Sequence, residues 1–342
     1  MKFFRKTLTM CHSVMKRIKA AGEISGFINP TGIVGAFIFF VLVFFSFRWS
    51  SEPDFIASSY NENENISGHR IVATLIEVVD VLLKKPGGYL SNDVLPPSVC
   101  LDNIPSWEFG VLVQVRDLSK ALRESFSRSQ SQSSEDPDLS FAEPRFNVDH
   151  LSWAVPWPES EYAEGQEFLI SYMERLNGKR SPTAEFFPRA DNLRYWLVTV
   201  ETRLGSVSQR LSSSVGKHRI AGLPDTDTDI ETSSENVRRH VRTPWLLIDN
   251  VFYEARGTAW ALVHFLKAVN VDFGDILEKK RARASLQQII YELESSLQIV
   301  NAPIILNGSG YGMFANHSLV MASYISRANA ALIDLRELLS QG

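Results

Sequence analysis

The sequence predicts an all-α protein: one N-terminal transmembrane helix followed by a multi-helix, bundle-like domain. Two observations carry the prediction. Between Glu23 and Arg48 lie 24 residues without a charge, and Thr31 to Phe47 (TGIVGAFIFFVLVFFSF) is almost wholly apolar. Beyond it, long segments repeat their apolar positions every three to four residues and are separated by polar or Pro/Gly-rich stretches, with no run of alternating strands and no internal repeat.

Taken in order, residues 1–31 form a basic tail. Lys2, Arg5, Lys6, Lys16, Arg17 and Lys19 face one acid, Glu23. Its Phe3, Phe4, Leu8, Val14, Met15 and Ile18 suit contact with lipid, although a short disordered topogenic tail or a mitochondrial presequence also fits the composition. Residues 32–49 form the membrane helix, since about 20 apolar residues at 1.5 Å each cross a hydrocarbon core of ~30 Å. Pro30 suits its first turn, and Trp49 suits an interface. The run is too long for a signal peptide, lacks an Ala-x-Ala site after it, and follows Cys11 rather than preceding a lipidation cysteine. The positive bias before the span puts the N-terminus in the cytoplasm and the large C-terminal portion outside, across the membrane.

Residues 50–68 read as a polar linker. Residues 69–342 read as the exported helical domain, with a division near residue 220 left open. Within it, His69–Lys85 is an amphipathic helix stopped by Pro86-Gly87-Gly88, and Trp107–Phe126 is helical again. Pro96, Pro97 and Pro105 rule out a central strand between them. Ser127–Ser140 is of low complexity. Further helices are expected at Glu159–Asn177, Arg189–Val215, Thr243–Asn270, Asp272–Val300 and Met313–Ser340, with a polar loop at Gly222–Asn236.

The whole chain has net charge −4. The tail through Glu23 carries +5, leaving 29 bases against 38 acids, or −9, for the remainder. Such a domain lacks the clustered cations that phosphate neutralisation needs, so nucleic acid is excluded as a partner. Cys100 would be a lone exported cysteine, expected as a small buried hydrophobe. No Cys or His cluster suggests a metal, and no cofactor is expected.

Several strings are distinctive: PGGYLSNDVLPP (Pro86 to Pro97), DNIPSWEFGVLVQVRD (Asp102 to Asp117), TPWLLIDNVFYEARGTAWALVHFL (Thr243 to Leu266), SLQQIIYELE (Ser285 to Glu294) and the segment from Leu306 to Leu339. They resemble an uncharacterised family of membrane-anchored bacterial proteins, known as a domain of unknown function. The resemblance implies a Gram-negative inner-membrane setting and no activity.

The Thr243–Asn270 helix carries the richest constellation. One stripe (Ile248, Phe252, Ala255, Ala259, Leu262, Leu266) is a core face; a second reads Trp245, Asp249, Tyr253, Arg256, Trp260, His264. Asp249, Glu254 and His264 are candidate acid–base groups, with Tyr253, Arg256 and Trp260 as candidate binding residues. A satisfied structural network, with Asp249 paired to Tyr253 or Arg256 and Glu254 to a distant partner, is the preferred reading. Gly308, Gly310 and Gly312, with Asn316 and His317, form a Gly-rich turn opening the last helix. It could cradle an anion, but it lacks P-loop context, so a tight turn with a capping asparagine is preferred. Asp225, Asp227 and Asp229 alternate but fail the EF-hand pattern. Lys279, Lys280, Arg281 and Arg283 form a basic patch that could meet lipid headgroups or an acidic partner, with a solvated helix face the preferred reading. The function expected is a membrane-anchored scaffold binding an envelope protein partner. A carboxylate-based hydrolase of glycan or lipid-linked substrates, or a small-ligand sensor, are the alternatives.

Overall fold

The computed structural model describes residues 30–56, 66–129, 134–219, 239–300, 304–309 and 313–341. Among them are ten α-helices and one short antiparallel strand pair. Residues 1–29 of the basic tail, the Asp225–Asp229 loop, Gly310 and Gly312 lie outside the described residues, while Pro30 and Thr31 already belong to the first helix.

The chain divides into two compact units, Met1–Arg48 and Trp49–Gly342. The first contains all but the last residue of helix α1 (Pro30–Trp49), which is long and apolar enough over Gly32–Trp49 to cross a membrane and has none of that window buried.

The described residues of the second unit form nine α-helices. α2 (His69–Lys84) ends before Pro86, and α3 (Asn103–Ala121) continues through a π turn at Leu122–Phe126. α4 (Pro137–Phe146) arises where the sequence reads as low complexity. Asp136 caps it, accepting from the Asp138 and Leu139 N–H groups, and Pro137 occupies its first turn. α5 (Pro158–Leu176) and α6 (Ala190–Ser212) follow the expected periodicity. Lys217–Arg219 then pairs with Arg239–Val241. α7 (Ile248–Asp272) is the longest helix of the unit. The segment expected as one helix from Asp272 breaks into α8 (Gly274–Lys279) and α9 (Arg283–Ser296), because Arg281 takes a left-handed turn with φ 54°. α10 (His317–Ser340) closes the chain.

α7 is the central member, and α3 runs parallel to it. A methyl group on Gly110 would lie 2.2 Å from the Glu254 carbonyl oxygen, and one on Gly257 would lie 2.0 Å from that of Trp107. The two backbones therefore touch, which only glycine allows. α6 is antiparallel to α3, tied by Arg203–Asp117 (2.8 Å) and Tyr195–Glu124 (2.5 Å). α10 is antiparallel to α6 through Ser208–Ser326 (2.6 Å) and the Arg336–Glu201 pair. α2 and α5 pack antiparallel, His69 meeting Asn177 and Gln166 meeting the Ile76 carbonyl. The core runs continuously through Leu75, Trp107, Leu112, Trp196, Leu204, Phe265, Ile325 and Leu332, each at most 1% exposed.

This arrangement gives the unit two ends. One gathers the N-termini of α3, α7 and α10 and the C-terminus of α6; Asn307 there donates to the Ser214 carbonyl, and Phe252 lies against His317. The other gathers the N-terminus of α2 and the C-termini of α5, α7 and α10. There Asp272 accepts the Ile71 N–H at 2.8 Å, and Lys280 reaches the Gln341 carbonyl.

Candidate functional site

The stripe on α7 is occupied by the chain's own segment. Arg256, 7% exposed, donates from Nε and Nη2 to the two carboxylate oxygens of Glu52 at 2.6 and 2.8 Å. Its remaining donors reach the Gln298 and Leu297 carbonyls at 3.0 and 3.2 Å. A guanidinium so placed is bidentate and geometrically fixed. Just over two turns along, His264 Nε2 accepts the Ile56 N–H at 3.0 Å, and Nδ1 lies 2.7 Å from the Trp260 carbonyl. Those partners fix the tautomer: Nδ1 carries the proton and the ring is neutral. Burial drives the imidazole down to about 4, opposed by the Trp260 carbonyl. Trp260 and Phe55 flank the ring at 4.4 and 5.4 Å between centroids.

The stretch read as a linker from residue 50 is thus, over Ser50–Ile56, laid along α7. Its composition is that of a loop, but one carboxylate and one backbone N–H dock it. Beside it lies a cleft of about 520 Å³ lined by Glu52, Phe55, Tyr253, Arg256, Trp260 and Ile299, among others.

The candidate acid–base groups do not converge on that cleft. Glu254 is held bidentately by Arg210 at 2.5 Å. Asp249 pairs with neither Tyr253 nor Arg256. Its Oδ1 accepts the Asn250 N–H at 3.2 Å, and burial with the nearby Asp102 carboxylate pushes it up. The expected network joining Asp249 to Tyr253 or Arg256 is therefore replaced by two separate ion pairs, because Glu52 outcompetes the same-helix acid for the guanidinium. Tyr253 lines the cleft, its phenol raised by burial and the Glu52 charge.

At the start of α10, Asn316 accepts the Leu319 N–H at 2.8 Å and donates to Asn307 Oδ1 and the Gly308 carbonyl. A methyl group on Gly308 would meet the Phe314 carbonyl at 2.1 Å, so glycine there permits a close backbone pairing. His317 Nδ1 accepts the Leu306 N–H at 3.0 Å. The helix N-terminus is satisfied by its own cap.

A buried site absent from the sequence-derived candidates lies beneath Pro86–Ser91. Lys85 Nζ sits 2.5 Å from Glu108 Oε1, with side chains 1% and 0% exposed. Lys85 also donates to the Gly88 carbonyl at 2.5 Å. Glu108 accepts from the Leu90 and Ser91 N–H groups at 2.9 Å and from the Ser91 hydroxyl. Burial pushes the carboxyl up, opposed by Lys85 and these donors. Two of the distinctive strings, PGGYLSNDVLPP and DNIPSWEFGVLVQVRD, are the loop and the helix that this pair clamps together.

Cys100, expected to be buried, is exposed, since it ends a short turn before α3. Among the described residues no group of acidic, histidine or cysteine side chains is placed to hold a metal ion.

A family model described as an uncharacterised protein conserved in bacteria, DUF2333, matches residues 23–342. The chain belongs to that family. The match includes α1 and both strings clamped by Lys85 and Glu108. No curated protein and no solved structure matches the chain.

Proposed function

We propose that the protein is a single-span scaffold of the bacterial inner membrane, with its N-terminus in the cytoplasm and a helical partner-binding domain in the periplasm. The observation that carries this reading is the occupation of the α7 stripe. Arg256, the group best suited to bind an anion, and His264, the group best suited to transfer a proton, spend their hydrogen-bonding capacity on Glu52 and Ile56 of the segment that follows the anchor. Glu254 is paired elsewhere. Catalytic acid and base groups need to share a solvent-connected pocket; these hold a tether. A domain that incorporates the first residues after the span into its own fold, Glu52 and Ile56 among them, suits a platform for an envelope protein.

Co-purification of the full chain from detergent-solubilised native membranes tests the reading. A reproducible envelope protein at fixed stoichiometry is the expected result, and repeated isolation of the chain alone counts against it. A reporter fused to residue 342 should be active only in the exported compartment; activity confined to the cytosol refutes the orientation.

A further inference from the structure

We infer that the end of the helical unit bearing the N-termini of α3 and α7 seats directly in the interfacial layer of the bilayer, as a second membrane contact independent of the spanning helix. Its loops carry large exposed apolar side chains: Leu95 (73%), Trp153 (72%), Trp157 (57%), Trp245 (75%), Leu246 (74%) and Phe314 (71%). These come from four separate places in the sequence. Asn92 donates to the Ser152 carbonyl and to Glu159, joining the first two loops, and Asp102 lies within electrostatic reach of Asp249, placing the third beside them. Phe314 belongs to the segment that joins α10 beside Phe252 and Ser214.

Isolated exposed apolar residues are ordinary, whereas a contiguous set marks a contact surface. Two observations select lipid as the occupant. The segments Val94–Leu101, Leu151–Pro158, Thr243–Ile248 and Met313–Ser326 contain no Asp, Glu, Lys or Arg, so seating them desolvates no full side-chain charge. The three tryptophans exposed in the described residues, out of seven in the chain, are all here. Tryptophan is the side chain that prefers the headgroup level. The chain's route agrees. Trp49, the first residue of the unit, lies against Gly87 in the loop leading to this end, and the segment then climbs α7 from Arg256 at Glu52 to His264 at Ile56. The basic patch at Lys279–Arg283, the sequence's own candidate for headgroup contact, sits at the opposite end, where Lys280 reaches Gln341.

The inference rests on α1 spanning a bilayer, and the experiment separates the two. The full chain is reconstituted in phosphatidylethanolamine/phosphatidylglycerol vesicles with and without brominated acyl chains. Resistance of the vesicle-bound chain to carbonate extraction reports the anchor. Bromine quenching of tryptophan emission reports the second contact, comparing wild type with Trp153→Phe/Trp157→Phe/Trp245→Phe, exposed conservative changes that leave the core intact. The expected result is carbonate-resistant binding in both, with the quenched emission falling at least twofold in the triple variant. Equal quenched emission in both chains, with binding retained, overturns the inference alone. Loss of binding overturns the anchor and the inference together. Unquenched tryptophans whose emission shifts only when native membrane proteins are added assign the face to a protein and overturn the lipid contact.

Discussion

Lys85 and Glu108 face each other with no solvent-accessible side-chain surface worth naming, and each is held by further hydrogen bonds from the loop between them. Such a pair adds little net stability compared with apolar residues of the same shape, but removing one partner strands a buried charge. Lys85→Met or Glu108→Leu alone should cost about 3–5 kcal/mol, read by denaturant unfolding. The double variant Lys85→Met/Glu108→Leu should recover a large part of that loss, although the Leu90 and Ser91 N–H groups lose their acceptor. A double variant as unstable as the sum of the singles would show that the pair does not act as a unit. Sequence reasoning passed over this site. Lys85 reads as the polar end of an amphipathic helix and Glu108 as one charge in a mixed stretch, and only the chain reversal at Pro86–Ser91 brings them together. Arg256 was legible as a buried cation needing a partner. That its partner was Glu52, 204 residues away in a stretch of loop composition, was not.

At the scale of helices, the α3–α7 crossing is set by two glycines on facing turns. Gly→Ala in an exposed helix interior ordinarily stabilises by about 0.5–1 kcal/mol. At Gly257 or Gly110 the added carbon would meet backbone, which cannot rotate away. Gly257→Ala and Gly110→Ala should therefore destabilise by about 3 kcal/mol or more, through forced separation of the helices. Gly205→Ala on α6, whose nearest neighbour would be the Asn329 side chain at 3.8 Å, should be neutral or stabilising. Thermal or denaturant unfolding of the three variants checks the contrast, and three equal effects would deny the close approach. The helices themselves were readable from the period of their apolar residues. α4 was hidden because Pro137 and Pro144 mask a helix whose cap, Asp136, lies in a Ser-rich run. The α8–α9 break was hidden because a left-handed Arg281 leaves no compositional trace.

Over the whole molecule, proton binding at two groups of α7 pulls stability in opposite directions. His264 titrates at about 4 in the folded chain against an ordinary 6.5, so between those values the unfolded chain binds more protons and stability rises with pH. Asp272, which accepts the first N–H groups of α2, is pushed by burial up to about 6 from 3.8. Across that window the folded chain binds more protons, and stability falls as pH rises. Each effect integrates to about 3 kcal/mol, and the two windows overlap between about 4 and 6, so together they nearly cancel. Substitution separates them. Asp272→Asn keeps an acceptor for the Ile71 N–H and removes one titration, so its stability should climb by about 2 kcal/mol from pH 4 to pH 6 relative to wild type. His264→Gln should fall by a similar amount over the same range. Denaturant unfolding of the full chain in detergent, repeated at half-unit steps of pH, gives both slopes; two variants that track wild type in parallel would mean that neither group titrates with folding. The His264 slope has a local counterpart, because a protonated ring has no lone pair for the Ile56 N–H. The protection of that amide against exchange should fall below about pH 4, and the segment after α1 should loosen from α7 before the bundle unfolds.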